Sequence, residues 1–397
     1  MPVEEALGQL LASVTARPEA VERALLDALG CTLAEDVVSL VDVPPHNDSA
    51  MDGYAVRASE TAQVLPVIQR IAAGQTGDPL EPNTAARIFT GAPVPQGADA
   101  VVMQENCSVK DGMLTISGSV SAGQNIRPRG QDVATGSVVL QRGRRLRAQD
   151  LGLLASLGCA TVMIHRPLRV AIFSTGDELV EPGQGTPLSP GQLYNSNRYT
   201  LAGLLRAMNL EVIDGGIIAD DPDATRTALS QASTQADCVI TSGGVSVGEE
   251  DHVKQQVQEL GQLELWRLAI KPGKPLAFGR IGATPFVGLP GNPTSVFVTF
   301  CVIAAPFLRA LQGTTPTPVL RQFARAEFEI SRPGIRQEYL RVVVSNSDSG
   351  LCAAAYSNQS SGVLSSVSHC NALAVIPVGA TVSAGDSVEV MLLDALL

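Results

Sequence analysis

The stretch LRVAIFSTG, residues 168–176, decides the fold class. Its apolar run from Val170 to Phe173 shows no polar alternation and stops in Ser174, Thr175 and Gly176. That is the pattern of a strand buried on both faces and ended by a small-residue turn. Working outward, SNRYTLAGLLRAM (196–208) has helical spacing and EVIDGGII (211–218) reads as a second strand. ADDPDATRTALSQAS (219–233) is a helix opened by Asp221, with Pro222 in its first turn. DCVITSGG (237–244) is another buried strand running into glycines. Strand–helix alternation of this kind implies a parallel sheet with helices on both faces. After FVGLPGNP (286–293), the helix TSVFVTFCVIAAPFLRAL (294–311) is apolar around most of its circumference and should be buried.

The flanks have a different texture. Residues 3–30 read as helices, with Val21, Leu25 and Leu29 on one face and Gly30 as a stop. From Val37 to Arg129 the chain is rich in Gly, Pro, Val and Thr, with short alternating runs such as ADAVVMQ (98–104) and MLTIS (113–117). Helical spacing returns at 147–157 with Leu151, Leu154 and Leu157, ends at Gly158, and leads into the strand TVMIH (161–165). Beyond Gly313, FARAEFEI, EYLRVVV, NALAVIPV and SVEVMLL are strand-like between Ser/Gly/Asn turns. The expected architecture is multidomain α/β plus β. A partly helical N-terminal domain (1–42 and 133–165) is interrupted by a β-rich insertion (43–132). A doubly wound parallel α/β domain (166–313) and a small β-barrel-like domain (314–397) follow.

Composition removes several classes of function. The 397 residues carry a net charge of −11, and Arg142, Arg144, Arg145 and Arg147 form only a short basic patch, so a nucleic-acid surface is not expected. Seven widely spaced cysteines contain no CxxC, and four scattered histidines contain no HExxH, so neither a disulfide framework nor a zinc site is implied. The N-terminus MPVEEALGQLLASV lacks the basic-then-apolar order of a signal peptide. No run approaches the ~18 apolar residues of a membrane span. The expectation is a cytoplasmic protein with reduced thiols, engaging neither membrane nor nucleic acid.

In an open parallel sheet, ligands bind beyond the carboxyl ends of the strands. One strand ends in Ser174-Thr175-Gly176-Asp177-Glu178, the next at Asp220-Asp221, the third in TSGGVSVGEED (241–251). Helix capping accounts for Asp221 and Asp177, but a surplus acid at every strand end points further. The clustered carboxylates of this rim, Asp177, Glu178, Asp220, Asp221, Glu250 and Asp251, suit a hard cation, Mg²⁺ above all, held through one or two carboxylates plus substrate phosphates. Ser242, Gly243, Gly244, Val245, Ser246 and Gly248 form a glycine loop whose amides could approach an anion. LAIKPGKPLAFG (268–279) adds Lys271 and Lys274 in a rigid turn, and LPGNP (289–293) places Pro290, Gly291 and Asn292 at a helix start, with Asn292 as N-cap. The loop is not a Walker A motif, because Glu249 and Glu250 stand where Lys and Ser/Thr belong, and no GxGxxG opens a helix. No Ser–His or Cys–His nucleophile stands out.

Assembled in order, DVPPHNDSAMDGYAVR (42–57), FTGAPVPQGADAVVMQE (89–105), NIRPRGQDV (125–133), FSTGDEL (173–179), DDP (220–222), TSGGVSVGEED (241–251), LAIKPGKPLAFG (268–279) and LPGNP (289–293) resemble the motifs of the molybdopterin molybdenumtransferases of MoeA type, relatives of the C-terminal domain of gephyrin. The resemblance implies an α/β domain of molybdopterin-binding type. It also implies a reaction in which adenylylated molybdopterin, the substrate, is cleaved with Mg²⁺ and receives molybdate, the co-substrate, to give molybdenum cofactor and AMP. It implies a homodimer whose cleft is completed by the second subunit, with Asp52 and Thr90 contributed in trans. Arg127 and Asp132 lie in the matching loop, Glu178, Asp220 and Asp251 match the acids, and Lys271 matches a lysine beside the phosphates or molybdate. Arg341 and Ser361 match more loosely. Two positions depart from the pattern: Asn47-Asp48-Ser49 stands where Asp-Asn-Ser is common, and Arg267 where lysine is common. The alternatives are a molybdopterin adenylyltransferase or a non-catalytic gephyrin-like scaffold; regions 1–165 and 314–397 favour the transferase. The adenylyltransferase and recipient molybdoenzymes are the candidate protein partners.

Overall fold

The computed structural model describes residues 1–183, 187–244, 252–316, 321–348 and 350–396. Strand Arg169–Thr175 lies inside a six-stranded sheet whose order is 211–218, 169–175, 238–242, 284–289, 275–281, 261–267. The first four of these strands are parallel. The last two join antiparallel, an edge hairpin that the strand–helix alternation did not announce.

Burial on both faces explains the unbroken apolar run of residues 170–173. Val170 and Ile172 point into a core shared with helices Val3–Ala12, Ser196–Ala207 and the run 293–311. Ala171 and Phe173 point the other way, against Leu229 of helix Pro222–Gln235 and Val253 and Val257 of helix His252–Leu260. Asp221 caps helix Pro222–Gln235 as read from the sequence, its Oδ1 accepting from Ala224 N at 2.7 Å. The 19-residue run Pro293–Leu311 has the length and apolar composition of a membrane span, which the count of apolar residues did not reveal, yet most of it is buried inside the molecule. It is α-helical to Thr299, π-helical over Phe300–Ala304 and α-helical again to Leu311.

One expectation fails near the N-terminus. The helix stops at Ala12, and Ala20–Ala24 is a strand paired antiparallel with Thr161–His165. Pro18 disfavours helix through residue 17, and the segment alternates exposed and half-buried positions with a period of two. Of the expected helix face, Leu29 is 54% exposed, while Leu25 is buried in the short 3₁₀ turn Leu25–Asp27. The chain leaves this unit beside Val37–Val38 and returns at Val138–Leu140, which pair with one another. Between them lies a six-stranded sheet with apolar residues on both sides, Ala86, Ile88 and Val101 on one and Val56, Val102 and Leu114 on the other.

At the C-terminus, strands 322–326, 337–347, 350–355, 372–376 and 387–392 pair in a ring that closes through 337–347 against 372–376. Closure leaves no free edge in that ring. A two-residue strand, Ile270–Lys271, joins the barrel to the sheet domain by pairing parallel with Gln337–Glu338.

Candidate active site

A cleft of about 750 Å³ opens beyond the carboxyl ends of the sheet, bounded on its far side by the barrel. Of the residues singled out from the sequence, it gathers Thr175, Glu178, Ser242, Gly243, Gly244, Lys271, Lys274, Pro290, Gly291, Asn292 and Ser361.

Its floor is built from paired strand ends. Ser174 and Ser242 face each other in register, with their hydroxyls 3.1 Å apart. Ser174 Oγ also donates to Asn195 Oδ1 at 3.1 Å. Ser174 is thus buried beneath the cleft as a strut, and it ties the strand end to the N-cap of helix Ser196–Ala207. Gly176 is required by geometry, because φ is +134° and a Cβ there would lie 2.3 Å from Glu178 Oε2. Gly243 and Gly244 also have positive φ, and a Cβ on Gly244 would meet Val253 at 2.7 Å. Val245, Ser246, Gly248 and Asp251, together with Glu249 and Glu250, lie outside the described residues.

The acids divide between site and scaffold. Glu178 lines the cleft. Asp220 does not; its carboxylate lies 3.7 Å from His252 Nε2, and its backbone N–H donates to Asp177 Oδ1 at 3.4 Å. Among the described residues no three His, Cys, Asp or Glu side chains converge. Glu178 and Asp220 nevertheless follow adjacent, in-register strands, Thr175 opposite Ile218. Carboxylates are the oxygen donors that a magnesium ion takes, beside water and substrate phosphate.

The cations come from the turn and the barrel. Lys271 Nζ lies 3.1 and 3.2 Å from the oxygens of Glu338, its neighbour in register. Arg336 also lines the cleft, with Nη1 donating to Ile270 O at 3.3 Å. Arg267 is outside the cleft lining; its carbonyl accepts from the N-terminal ammonium at 2.9 Å. Asn292 departs from its expected part. It sits at the N-cap but makes no side-chain cap bond, and its Nδ2 donates to Ser361 Oγ at 3.1 Å. Arg341 is buried under the barrel loop rather than in the cleft. It donates to Ser366 Oγ at 3.1 Å and Ser360 O at 3.3 Å, and burial pushes its pKa down.

The residues expected in trans stand together, away from this cleft. Thr90 donates its N–H and its hydroxyl to Asp52 Oδ1, each at 2.8 Å. These bonds, the backbone one first, hold the Asp52 carboxyl below its usual range. Strand Ile126–Arg127 pairs with Asp48–Ser49, and Ser49 exchanges backbone bonds with Gly91 and Ala92. Three distant motifs thereby converge. Asp48, at the departed position, has a buried Oδ1 with no partner among the described residues, and burial pushes its carboxyl up. Asn47 Oδ1 accepts from Arg129 N at 2.8 Å. Asp132 follows in the same loop, its N–H bonded to Val43 O. None of Asp52, Thr90, Arg127 and Asp132 lines the cleft.

Residues 1–158 match the MoeA N-terminal region (domain I and II), residues 171–310 a probable molybdopterin binding domain, and residues 324–393 the MoeA C-terminal region (domain IV). A Haemophilus influenzae protein named molybdopterin molybdenumtransferase is 47% identical over 296 residues, spanning 73% of this chain and 72% of its own length. The chain belongs to the MoeA family. A Nostoc molybdopterin molybdenumtransferase is 39% identical and spans 92% of this chain and 86% of its own. The crystal structure of the Pyrococcus horikoshii OT3 molybdopterin biosynthesis moeA protein superposes with a TM-score of 0.86 at 30% identity, covering 99% of both chains. In this MoeA-family chain the cleft falls between the probable molybdopterin binding region and the C-terminal region. Its residues Asn195, Arg336, Gln359 and Ser360 were not singled out from the sequence, since each reaches the cleft only through tertiary pairing.

Proposed function

We propose that this chain inserts molybdenum into molybdopterin, cleaving adenylylated molybdopterin in the presence of molybdate to release AMP and molybdenum cofactor. The observation that carries the reading is the makeup of the cleft. Close-packed glycines, Lys271, Lys274 and Arg336 bring anion-binding groups to strand ends that also carry Glu178 and, next to it, Asp220, in a chain of net charge −11. The family names of the relatives support the same reaction.

In this reading Gly243 and Gly244 let backbone approach the phosphates closely, and Lys271, Lys274 and Arg336 neutralise phosphate and molybdate. Glu178 and Asp220, with Asp251, would hold Mg²⁺, which when bound polarises the phosphoryl group and stabilises charge on the leaving oxygen. The barrel segment Gln359–Ser361 walls the cleft and limits water around the anions. The working unit is a homodimer in which Asp52, Thr90, Arg127 and Asp132 complete the cleft of the second copy, in a cytoplasmic protein. The test is incubation of purified protein with adenylylated molybdopterin, Mg²⁺ and molybdate, following AMP. Release that ignores both molybdate and Mg²⁺ would sink the reading, whereas adenylylation of molybdopterin from ATP would favour the adenylyltransferase alternative.

A further inference from the structure

Asp52 is anchored through one oxygen, since both bonds from Thr90 go to Oδ1, leaving Oδ2 for a ligand. Arg87 fixes the segments that carry this pair. Its Nη1 donates to Gly53 O at 3.2 Å and its Nη2 to Gln104 Oε1 at 2.6 Å. Gln104 in turn donates its backbone N–H to Asp52 O at 3.0 Å. The guanidinium also lies over two rings, 4.7 Å from the centroid of Phe89 and 5.1 Å from that of Tyr54. One side chain therefore grips the residue after Asp52, the residue before Thr90, and the residue that bonds to the Asp52 carbonyl. Gly53 packs directly on the neighbouring strand, where a Cβ would lie 1.8 Å from Val102 O. Both hydrogen-bond acceptors of Arg87 are uncharged, so the guanidinium is not tied up in a salt bridge among the described residues.

We infer that Arg87 is the positioning residue of the Asp52–Thr90 pair, its planar guanidinium setting the direction in which Asp52 Oδ2 meets the substrate. The inference rests on the proposal that Asp52 serves molybdenum insertion. Lysine cannot replace Arg87, because a single ammonium cannot bridge two acceptors held in a plane while stacking on two rings. The charge of Arg87 also adds, after the bonds from Thr90, to the forces keeping Asp52 ionised.

The test uses full-length protein in the AMP-release assay. Arg87→Lys lowers kcat about 10–100-fold, the scale of a roughly 1 Å misplacement, with a much smaller change in KM for adenylylated molybdopterin. Arg87→Met shifts the acid limb of the pH profile upward. The double variant Arg87→Lys/Asp52→Asn is no slower than Asp52→Asn alone, because both act through one group. Arg70→Gln removes only a stack on Phe89, at 4.5 Å, and keeps the wild-type rate. Additive losses in the double variant, an Arg87→Lys rate equal to wild type, or an equal loss in Arg70→Gln overturns the inference. Asp52→Asn at wild-type rate instead removes Asp52 from the reaction, and Arg87 with it. If Arg87→Lys melts early, Gln104→Ala removes the other end of the brace and enters the same comparison.

Discussion

The amide of Asn292, at the start of the buried helix run, donates to Ser361 Oγ of the barrel loop at 3.1 Å. Thr294 adds two bonds across the same boundary, its N–H to Ser361 O at 3.1 Å and its hydroxyl to Val363 O at 3.0 Å. Sheet domain and barrel are thus latched at the point where the cleft needs both walls. Ser361→Ala removes one bond of the latch. The expected cost is about 0.5–1.5 kcal/mol in chemical denaturation, with a raised KM for adenylylated molybdopterin. A KM equal to wild type would show that the latch is structural only.

Arg341 should act on activity from beneath the surface. It is 2% exposed and supports the loop from below. Gln359 closes the arrangement, accepting from Arg341 N at 3.0 Å and donating to Arg341 O at 2.9 Å. Arg341→Met removes the donor to Ser366 Oγ, Ser360 O and Tyr339 O, so the variant loses about 0.5–1.5 kcal/mol per lost bond. Amide exchange across residues 359–363 should quicken. Slow exchange there in the variant would refute the strut.

The core elements were legible because their signals are local. Residues 170–173 are apolar in succession because two faces bury them, and Asp221-Pro222 announces a helix start within a few residues. Ala20–Ala24 was misread because its partner strand, Thr161–His165, lies more than a hundred residues away and the segment is only half-buried. Glu178, Lys271 and the 290–292 turn were legible because strand ends and glycine–proline turns mark them. Arg336 and the partner of Lys271, Glu338, were not, because only the parallel pairing of Ile270–Lys271 with Gln337–Glu338 brings Arg336 to the cleft and Glu338 to Lys271. Asn292 shows the limit of a local rule, since its side chain makes no cap bond and its amide donates to Ser361, 69 residues away.

Acid should weaken the sheet domain through Asp237. Arg166 donates to its two oxygens at 2.7 and 2.8 Å, and Arg169 N donates at 2.8 Å. Burial alone would raise this carboxyl, but the arginine bonds outweigh it and hold the pKa below the usual range. A lowered folded-state pKa gives stability that is present above the unfolded value of about 3.9 and lost as pH falls through the folded value. Asp237→Asn should therefore cost about 1.5–3 kcal/mol at neutral pH. It should also flatten the fall in stability below about pH 4. An acid limb identical to wild type would exclude Asp237 as its source.

Glu338 competes with any anion for Lys271. The pair is half-open to solvent, with Lys271 49% exposed, so breaking it costs the fold little. Glu338→Gln should lower the KM for the anionic substrates about threefold and make it more sensitive to salt, since an exposed, unpaired lysine is screened more readily. A raised KM would mean that Glu338 holds Lys271 in place.

The final prediction concerns the two halves of the site. Asp52 and Thr90 hold each other in the insertion, and neither lines the cleft that Lys271 lines in the same chain. If they serve one reaction, a second copy must bring them together. Asp52→Ala and Lys271→Ala subunits are each expected to be nearly inactive alone. Unfolded and refolded together in equal amounts, half the dimers carry one of each, and each such dimer has one cleft with an intact Lys271 facing an intact Asp52. Activity should return to about a quarter of wild type per subunit. Mixtures that stay at the level of the separate variants would place Asp52 outside a shared site.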